Sequence, residues 1–457
     1  VLNKIIKYRF NIEAITPVYF GSEEKGEFLK NSYGNPFITG NSIGGAIRSF
    51  LEKYMGNKEN IIEVLGGEAV NEEKLDFIES NAIITDGIIA GSKEDICIKE
   101  GTRINRRTST ADDGSKYEFE YLDIGTRISF EIEMECNDEN EIKFKTIIKD
   151  ITNGISDKKL TLGGQVTNGF GQFKINQIEK KEFNLDSIEG LKEYIFKRND
   201  NNLHWKKVNV NNNASIDNCE EIKFILKGGF PYGVYQNYDY DIEKNFKLSG
   251  IQRGNKGYYI PASSIKGLMK SEIEKLYNSL GVCSEDYVLK LFGGQNSIGR
   301  IIFKDIILNN ANEIEVFYPK KIDGKSKEED KYPTYNKVDR LVGSSYTNAL
   351  FKQREIEGQA LIELSLNNFV DNKEFVYPIL TILRNIGLGL IPIGGRTSVG
   401  LGEFEAEEMK VTIKDYEVKI DFNIDSRSIE IKEDKEKLDD FRKAFKKSLE
   451  KGWVKND

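Results

Sequence analysis

The chain repeats itself, and the repeat restricts its fold more than any single motif does. A glycine-rich segment, LGGQVTNGFGQF (Leu162 to Phe173), returns as IGGRTSVGLGEF (Ile393 to Phe404). Both read G-G-x-x-x-x-G-x-G-x-F, with Gly394 in the place of Gly163. FITGNSIGGAIRSFLEK (Phe37 to Lys53) matches YIPASSIKGLMKSEIEK (Tyr259 to Lys275). LGG at Leu65 to Gly67 matches FGG at Phe292 to Gly294. A weaker pair, TRINRRTSTADDGSKYEFEYL and KVDRLVGSSYTNALFKQREI, sets Val338 against Ile104. Every pair is displaced by nearly the same stretch, half of the chain. Glycine loops alone recur trivially. Four pairs in one order at nearly one displacement mean internal duplication.

The duplication predicts two domains, 1–190 and 219–412, joined by a linker over 191–218. Arg198 to Asn218, RNDNNLHWKKVNVNNNASIDN, is rich in Asn and Asp and has no sustained apolar period. An extension, 413–457, ends in an amphipathic helix with Leu438, Phe441, Phe445 and Leu449 on one stripe. Each copy opens with a strand (Ile5 to Ile15; Glu221 to Phe230). A helix follows, capped by Asn41 or Ser42 in one copy and by Ser263 or Ser264 in the other. The expected apolar stripes are Ile43, Ile47, Phe50, Leu51 and Tyr54, and Ile265, Leu268, Met269, Ile273 and Leu276. Two strands, a short helix, the glycine loop and a closing strand complete the unit. The order βαββαβ is the α+β, ferredoxin-like arrangement shared with RNA recognition motifs. The aromatic strand signature of those motifs is absent, so the sheet face is not the obvious reader.

Composition narrows the chemistry. Of 457 residues, 39% are hydrophobic and 31% charged, enough for packed cores. Four scattered cysteines (Cys97, Cys136, Cys219, Cys283) form no CxxC pair, which argues against a zinc cluster or disulfide scaffold and fits a reducing cytosol. A single histidine, His204, excludes a histidine-only zinc site or a paired-histidine mechanism within this chain. A net charge of −8 is not that of a bulk nucleic-acid coat, though local basic strips remain open. No apolar run approaches the roughly 18 residues of a membrane span, and the opening VLNKIIKYRFNIEAI reads as a strand rather than a signal peptide. The expectation is a cytoplasmic protein with no membrane partner.

Three motifs carry candidate chemistry. The glycine loops offer Gly163, Gly164, Gly394 and Gly395, whose amides can form a nest for a phosphate, with Arg396 adding charge. The same loops also read as tight turns packing a helix on a sheet. The helix starts put Ser42 and Ser264 where amides and dipole favour an anion, with Arg48, Lys266 and Lys270 farther along; an ordinary capped helix would look the same. Arg103, Arg106 and Arg107, followed by small polar residues and Tyr117, make a basic arm; a solvated charged surface is the alternative. Arg340 lies in the matching stretch of the second copy.

Taken together and in order, these motifs resemble the RAMP superfamily of CRISPR-associated proteins, nearest to the Cas-seven group of type III backbone subunits. The doubled chain resembles a tandem backbone fusion of a III-D-like complex. The likeness runs from about Ile5 to Phe404, and INRRTSTADDGSKYEFE is its most specific part. It implies two tandem ferredoxin-like domains with thumb insertions, a guide CRISPR RNA held along its backbone, a target RNA, and other effector subunits as partners. It also implies a loop aspartate after the first strand that supports Mg²⁺-dependent cleavage of the target. The second copy has Asp239 and Asp241 there, in YDYDIEKNF, whereas the first has only Glu23, Glu24 and Glu27. Cleavage is therefore expected mainly from the second copy. The alternatives are a non-catalytic guide-binding scaffold, a guide-processing ribonuclease of the same superfamily, and, outside it, a small-molecule sensor.

Overall fold

The computed structural model describes residues 3–22, 26–56, 58–71, 74–90, 96–105, 111–197, 205–209, 221–236, 238–240, 248–254, 256–294, 297–314, 334–336, 338–339, 341–346, 351–368, 370–414, 416–432 and 435–453. The chain divides into two compact units, Val1–Cys219 and Glu220–Asp457.

In the first unit, Ile6, Tyr8, Phe10 and Ile12 alternate along the strand Lys4–Ala14 and are buried on one face, as a period of two requires. That strand pairs antiparallel with Phe173–Asn184 on one side and Arg127–Cys136 on the other. The latter also pairs with Ala82–Ile84 and Gly87–Ala90, two pieces of one bent strand. The sheet order is thus fourth–first–third–second, the ferredoxin-like order. The second unit repeats it with Glu405–Ile413, Glu221–Val234, Ile356–Asn367, and the pieces Ile301–Phe303 and Ile306–Glu313. Even the irregularities repeat: both closing strands skip one residue in their pairing, Asn176 in the first copy and Glu407 at the matching place in the second.

Two helices cover one face of each sheet. Ile43, Ile47, Phe50 and Leu51 of Gly40–Tyr54, with Phe144, Ile147 and Ile151 of Asp138–Ser156, bury against the first sheet; Tyr54 is only half-buried. The second helix is long, not short. In the second unit the stripe is Ile265, Met269, Ile273 and Tyr277, one residue every four, and Leu268 and Leu276 sit at its margin. At about 1.5–3 kcal/mol per fully buried large apolar side chain, these stripes dominate helix stability.

Two expected boundaries move. Lys206–Lys207 pairs with Phe173–Asn184, so part of the expected linker belongs to the first sheet. After residue 412, Tyr416–Asn423 and Ser428–Ile431 add strands to the second sheet. The helix Lys435–Trp453 then seats Phe441 and Phe445 in the second core. The expected extension is therefore part of the second unit, because its apolar side chains need that core. His204 lies outside the described residues.

The helix starts also differ from expectation. The helices begin at Gly40 and Ala262, so Ser42 and Ser264 lie in the first turn rather than at the cap. Thr39 caps the first, accepting from the Ser42 amide at 3.2 Å. In both copies a carboxylate from the bend of the second strand does the remaining work. Asp86 accepts from the Gly40 amide at 2.8 Å, and Asp305 from the Ala262 amide at 2.6 Å. Each satisfies an orphan donor and opposes the helix dipole with a negative charge.

The glycine loop locks to the backbone that leaves the first strand. The Gly164 amide donates to the Tyr19 carbonyl at 2.8 Å, and the Gly395 amide to the Tyr235 carbonyl at 2.7 Å. The preceding residues, Gly163 (φ +92°) and Gly394 (φ +95°), occupy a region that favours glycine. A Cβ there would lie 2.3 Å from the Tyr19 carbonyl oxygen and 2.4 Å from that of Tyr235.

These contacts set the cost of replacing the residues that make them. Gly394→Ala suffers backbone strain and a carbonyl clash, whereas Gly400→Ala, at φ +91° with nothing within 4 Å, suffers strain alone. Urea midpoints of the purified chain should fall for both, by about 1–3 kcal/mol for strain, and further for Gly394→Ala. Asp86→Ala and Asp305→Ala should each lose about 1 kcal/mol, the ordinary worth of a cap, in the same measurement.

Candidate functional site

In the first unit a cleft of about 410 Å³ opens where three motifs meet. Its walls are the loop after the first strand (Phe20, Gly21), the helix start (Thr39, Ser42) and the glycine loop (Gly163, Gly164), over an apolar floor of Leu29, Phe37 and Ile38. Ser42, Gly163 and Gly164 thus share one site. The Thr39 and Ser42 hydroxyls lie 2.8 Å apart and form its polar rim. Among the described residues no charged side chain lines the cleft, so an anion there meets neither a countercharge nor a repelling carboxylate. Several amides expected to face a ligand have internal partners: Gly40 with Asp86, Ser42 with Thr39, Gly164 with Tyr19, and Gly171 with the Pro17 carbonyl. The nest is therefore smaller than the glycine count suggests, and the hydroxyls carry more of the polarity.

The second unit repeats the frame with different side chains. The Ser264 hydroxyl accepts from Gln236 Nε2 at 3.1 Å. Lys266 is half-buried one turn into the helix, and burial first, then the neighbouring Lys270 cation, lowers its pKa. An arriving anion would reverse that shift, since it favours the charged form. Gly394 and Gly395 repeat the loop geometry, but Arg396 does not reach outward. Its guanidinium lies over the Tyr335 ring at 4.2 Å, 5.7 Å from that of Phe351, and donates to Gln353 Oε1 at 2.7 Å.

Arg48 also departs from expectation. It donates to the Gly66 carbonyl at 2.7 Å and to the Leu65 carbonyl, closing the end of the helix Lys58–Leu65. A cation at a helix C-terminus opposes the dipole there, so this arginine has a structural role in the first unit. Arg103 is exposed and makes a 3.3 Å ion pair with Asp112. Such surface pairs are worth little, so this cation can be re-paired by a phosphate. Arg106, Arg107, Arg340 and Asp241 lie outside the described residues, as do Glu23 and Glu24.

The stretch expected as a basic arm starts from an ordered ribbon whose described residues carry more carboxylates than cations. Ile96–Ile104 pairs antiparallel with Ala111–Leu122, and Arg103 sits near its tip. Aromatic packing fixes the root: Phe119 meets Tyr19 edge-on at 5.3 Å and Phe170 of the glycine loop at 6.0 Å. The buried Lys99 ammonium lies 4.9 Å over the Phe170 ring. In the second unit the corresponding insertion supplies Thr334–Tyr335 and Phe351–Gln353 to a four-stranded sheet with Leu248–Gly250 and Tyr238–Tyr240. It also carries a turn in which Asp339 accepts from the Leu341 and Val342 amides, leaving Leu341 97% and Val342 76% exposed.

Of the candidate acids, Asp239 lies in the strand Tyr238–Tyr240, opposite Ser249. Glu27 is exposed in the turn closed by the Gly21–Phe28 bridge, against the root of the ribbon. Among the described residues no three His, Cys, Asp or Glu side chains converge on a metal position. Three contributors escaped sequence reasoning. Asp86 and Asp305 could have been found as TDG and KDI at matching places in the second strand of each copy. Gln353 lies in the weakest of the repeated pairs, opposite no chemically matching residue that would have marked it.

Comparison with known proteins comes to the same frame. The profile of the RAMP superfamily matches residues 11–174 and again residues 246–405. The CRISPR system Cms endoribonuclease Csm3 of Streptococcus thermophilus is 29% identical over 174 residues, covering 35% of this chain and 74% of that protein. Two matches spanning well over half of the chain, on two units of one topology, show that the chain belongs to the RAMP superfamily and carries its domain twice.

Proposed function

We propose that the chain is a backbone subunit of a type III CRISPR ribonucleoprotein, that both units hold guide RNA, and that the second cleaves complementary target RNA. The observation that carries this reading is the uncharged, hydroxyl-rimmed cleft between helix start and glycine loop, with Arg103 exposed on the ribbon rooted beside it. That arrangement suits a ribose–phosphate backbone, which needs hydrogen bonds at close range and cations nearby but no base-specific pocket. The similarity to a relative named as an endoribonuclease supports the cleaving half of the reading.

The residues divide the work. Thr39, Ser42 and the glycine-loop backbone would contact guide sugar and phosphate in the first unit, with Ser264, Lys266 and Lys270 as counterparts in the second. Arg103, with Arg106 and Arg107, would pair with phosphates from the ribbon. The exposed Leu341 and Val342 would press against base faces, as apolar wedges do. Asp239 or Asp241 would hold the ribose 2′-hydroxyl for attack on the adjoining phosphate. Their carboxylates also fit Mg²⁺, which takes one or two carboxylates together with substrate phosphates and needs no protein-only cage. When bound, that ion would supply charge neutralisation at the scissile phosphate. The first unit, lacking an aspartate after its first strand, would bind without efficient cleavage.

An assembled complex given labelled complementary RNA, with Mg²⁺ or with EDTA, tests cleavage. Asp239→Ala or Asp241→Ala should remove one cut, slowing it about 10²–10⁴-fold, with guide occupancy unchanged. Retention of every cut in both variants would leave a scaffold without catalysis, and loss of a cut only in Glu27→Ala would assign the chemistry to the first unit. Binding is tested separately. Changing Arg103, Arg106 and Arg107 to Ala should weaken RNA binding for every guide sequence and flatten its salt dependence, by about 0.7–0.9 in log–log slope per lost phosphate contact. An unchanged slope would remove the ribbon from the interface.

A further inference from the structure

Arg396 was expected to meet a phosphate, yet its guanidinium is already committed to protein. One terminal nitrogen donates to Gln353 Oε1 at 2.7 Å, and its plane lies over the Tyr335 ring. Gln353 is fully buried, and its amide nitrogen donates to Glu355 Oε1 at 2.6 Å, so both ends of that side chain are fixed. Gln353 is the parallel partner of Ser249, and Ser249 is the antiparallel partner of Asp239. Gln353, Ser249 and Asp239 therefore stand in one row across the sheet, and Arg396 of the glycine loop is bonded to the Gln353 end of that row. A second link runs beside the first. The Tyr235 carbonyl accepts from the Gly395 amide at 2.7 Å, while the Tyr235 hydroxyl lies 2.8 Å from Ser249 Oγ. The glycine loop is thus linked to the strand pair that carries Asp239 through two intermediaries, Gln353 and Tyr235.

The first unit provides an internal comparison. Its glycine loop has Gln165 in place of Arg396, in the same left-handed conformation, and Gln165 Oε1 accepts from Asn168 within the loop. There the side chain bonds within its own loop, and the first unit also has no aspartate after its first strand. The arginine link and the candidate aspartates occur in the same copy.

We propose that Arg396 is a positioning residue for target cleavage by the second unit: stacked on Tyr335 and bonded to Gln353, it fixes the register and orientation of the strand bearing Asp239. This rests on the reading of the second unit as the cleaving one. Its action is on geometry. A small displacement of a reacting group lowers the rate by up to about 10²-fold while leaving binding intact.

The test uses the assembled complex with Arg396→Ala, Arg396→Lys, Gln353→Leu, Asp239→Ala and Asp241→Ala. Each cut is timed at saturating target, and target affinity and guide occupancy are measured alongside. Arg396→Ala should slow the cut that an aspartate variant removes, by about 10–100-fold, with other cuts and target affinity within about twofold of the parent. Arg396→Lys keeps a cation over the ring but loses the planar fork, and should restore that one cut in part. Gln353→Leu should behave like Arg396→Ala, and it carries the test if Arg396→Ala does not assemble. If an aspartate variant removes a cut that Arg396→Ala leaves at full rate, the inference is overturned while the function stands. If Arg396→Ala lowers target affinity and leaves the saturated rate unchanged, Arg396 contacts RNA and the inference is again overturned. If neither aspartate variant removes any cut, the proposed function itself fails.

Discussion

The bond between the glycine loop and the backbone leaving the first strand organises each unit. Gly164 and Gly395 donate to the Tyr19 and Tyr235 carbonyls, and the residue before each must lack a Cβ because the strand backbone occupies that space. The contact brings the last connection of the ferredoxin-like core against the loop leaving its first strand. Without it, the helix start, the strand end and the glycine turn would not share a cleft in the first unit. The same contact sets where the insertion can root, since Phe119 reaches both Tyr19 on the strand side and Phe170 on the loop side.

Much of this was legible in the sequence because duplication doubles every signal. The period of two in the opening strand, the helical stripe at Ile43, Ile47 and Phe50, and the order of motifs all report burial, which hydrophobic spacing records directly. Partnering is not recorded in that way. Arg48 and Arg396 have the composition of phosphate ligands, and only the folded chain reveals that a helix end and an aromatic ring claim them first. Ser42 and Ser264 look like caps because serine at a helix start usually is one, but both lie inside the first turn, and the first helical amide is held by a carboxylate from a distant strand bend in both copies. The additional strands after residue 412 escaped for a related reason. Tyr416, Val418, Ile420 and Phe422 do alternate with polar residues in the first of them, but which sheet such a strand joins is decided by pairing that the period does not record.

The two units share a skeleton and differ where chemistry is at stake. In the first, a buried charge network lies on the face of the sheet away from the two covering helices. Lys7 sits between Glu131 and Glu133 at 3.0 and 3.1 Å, with the Tyr194 hydroxyl donating to Glu133 at 2.5 Å. In the second, the corresponding face carries exposed pairs such as Lys227 with Glu407 at 2.7 Å. A buried cation held by two carboxylates specifies a geometry, because either partner alone would be left uncompensated; an exposed pair specifies little. Duplication thus preserved the core and left the surfaces free to diverge.

The junction between glycine loop and insertion shows how far that divergence has gone. In the first unit the cation belongs to the insertion and the ring to the loop, Lys99 over Phe170; in the second the cation belongs to the loop and the ring to the insertion, Arg396 over Tyr335. The attraction is of the same kind, but donor and acceptor have changed sides. The halves have consequently ceased to be interchangeable parts. Recombination between the two glycine loops, which their similarity would otherwise favour, would set a cation near a cation or leave a ring without one. An incompatibility of that sort protects a tandem gene product from being homogenised back into two equal copies.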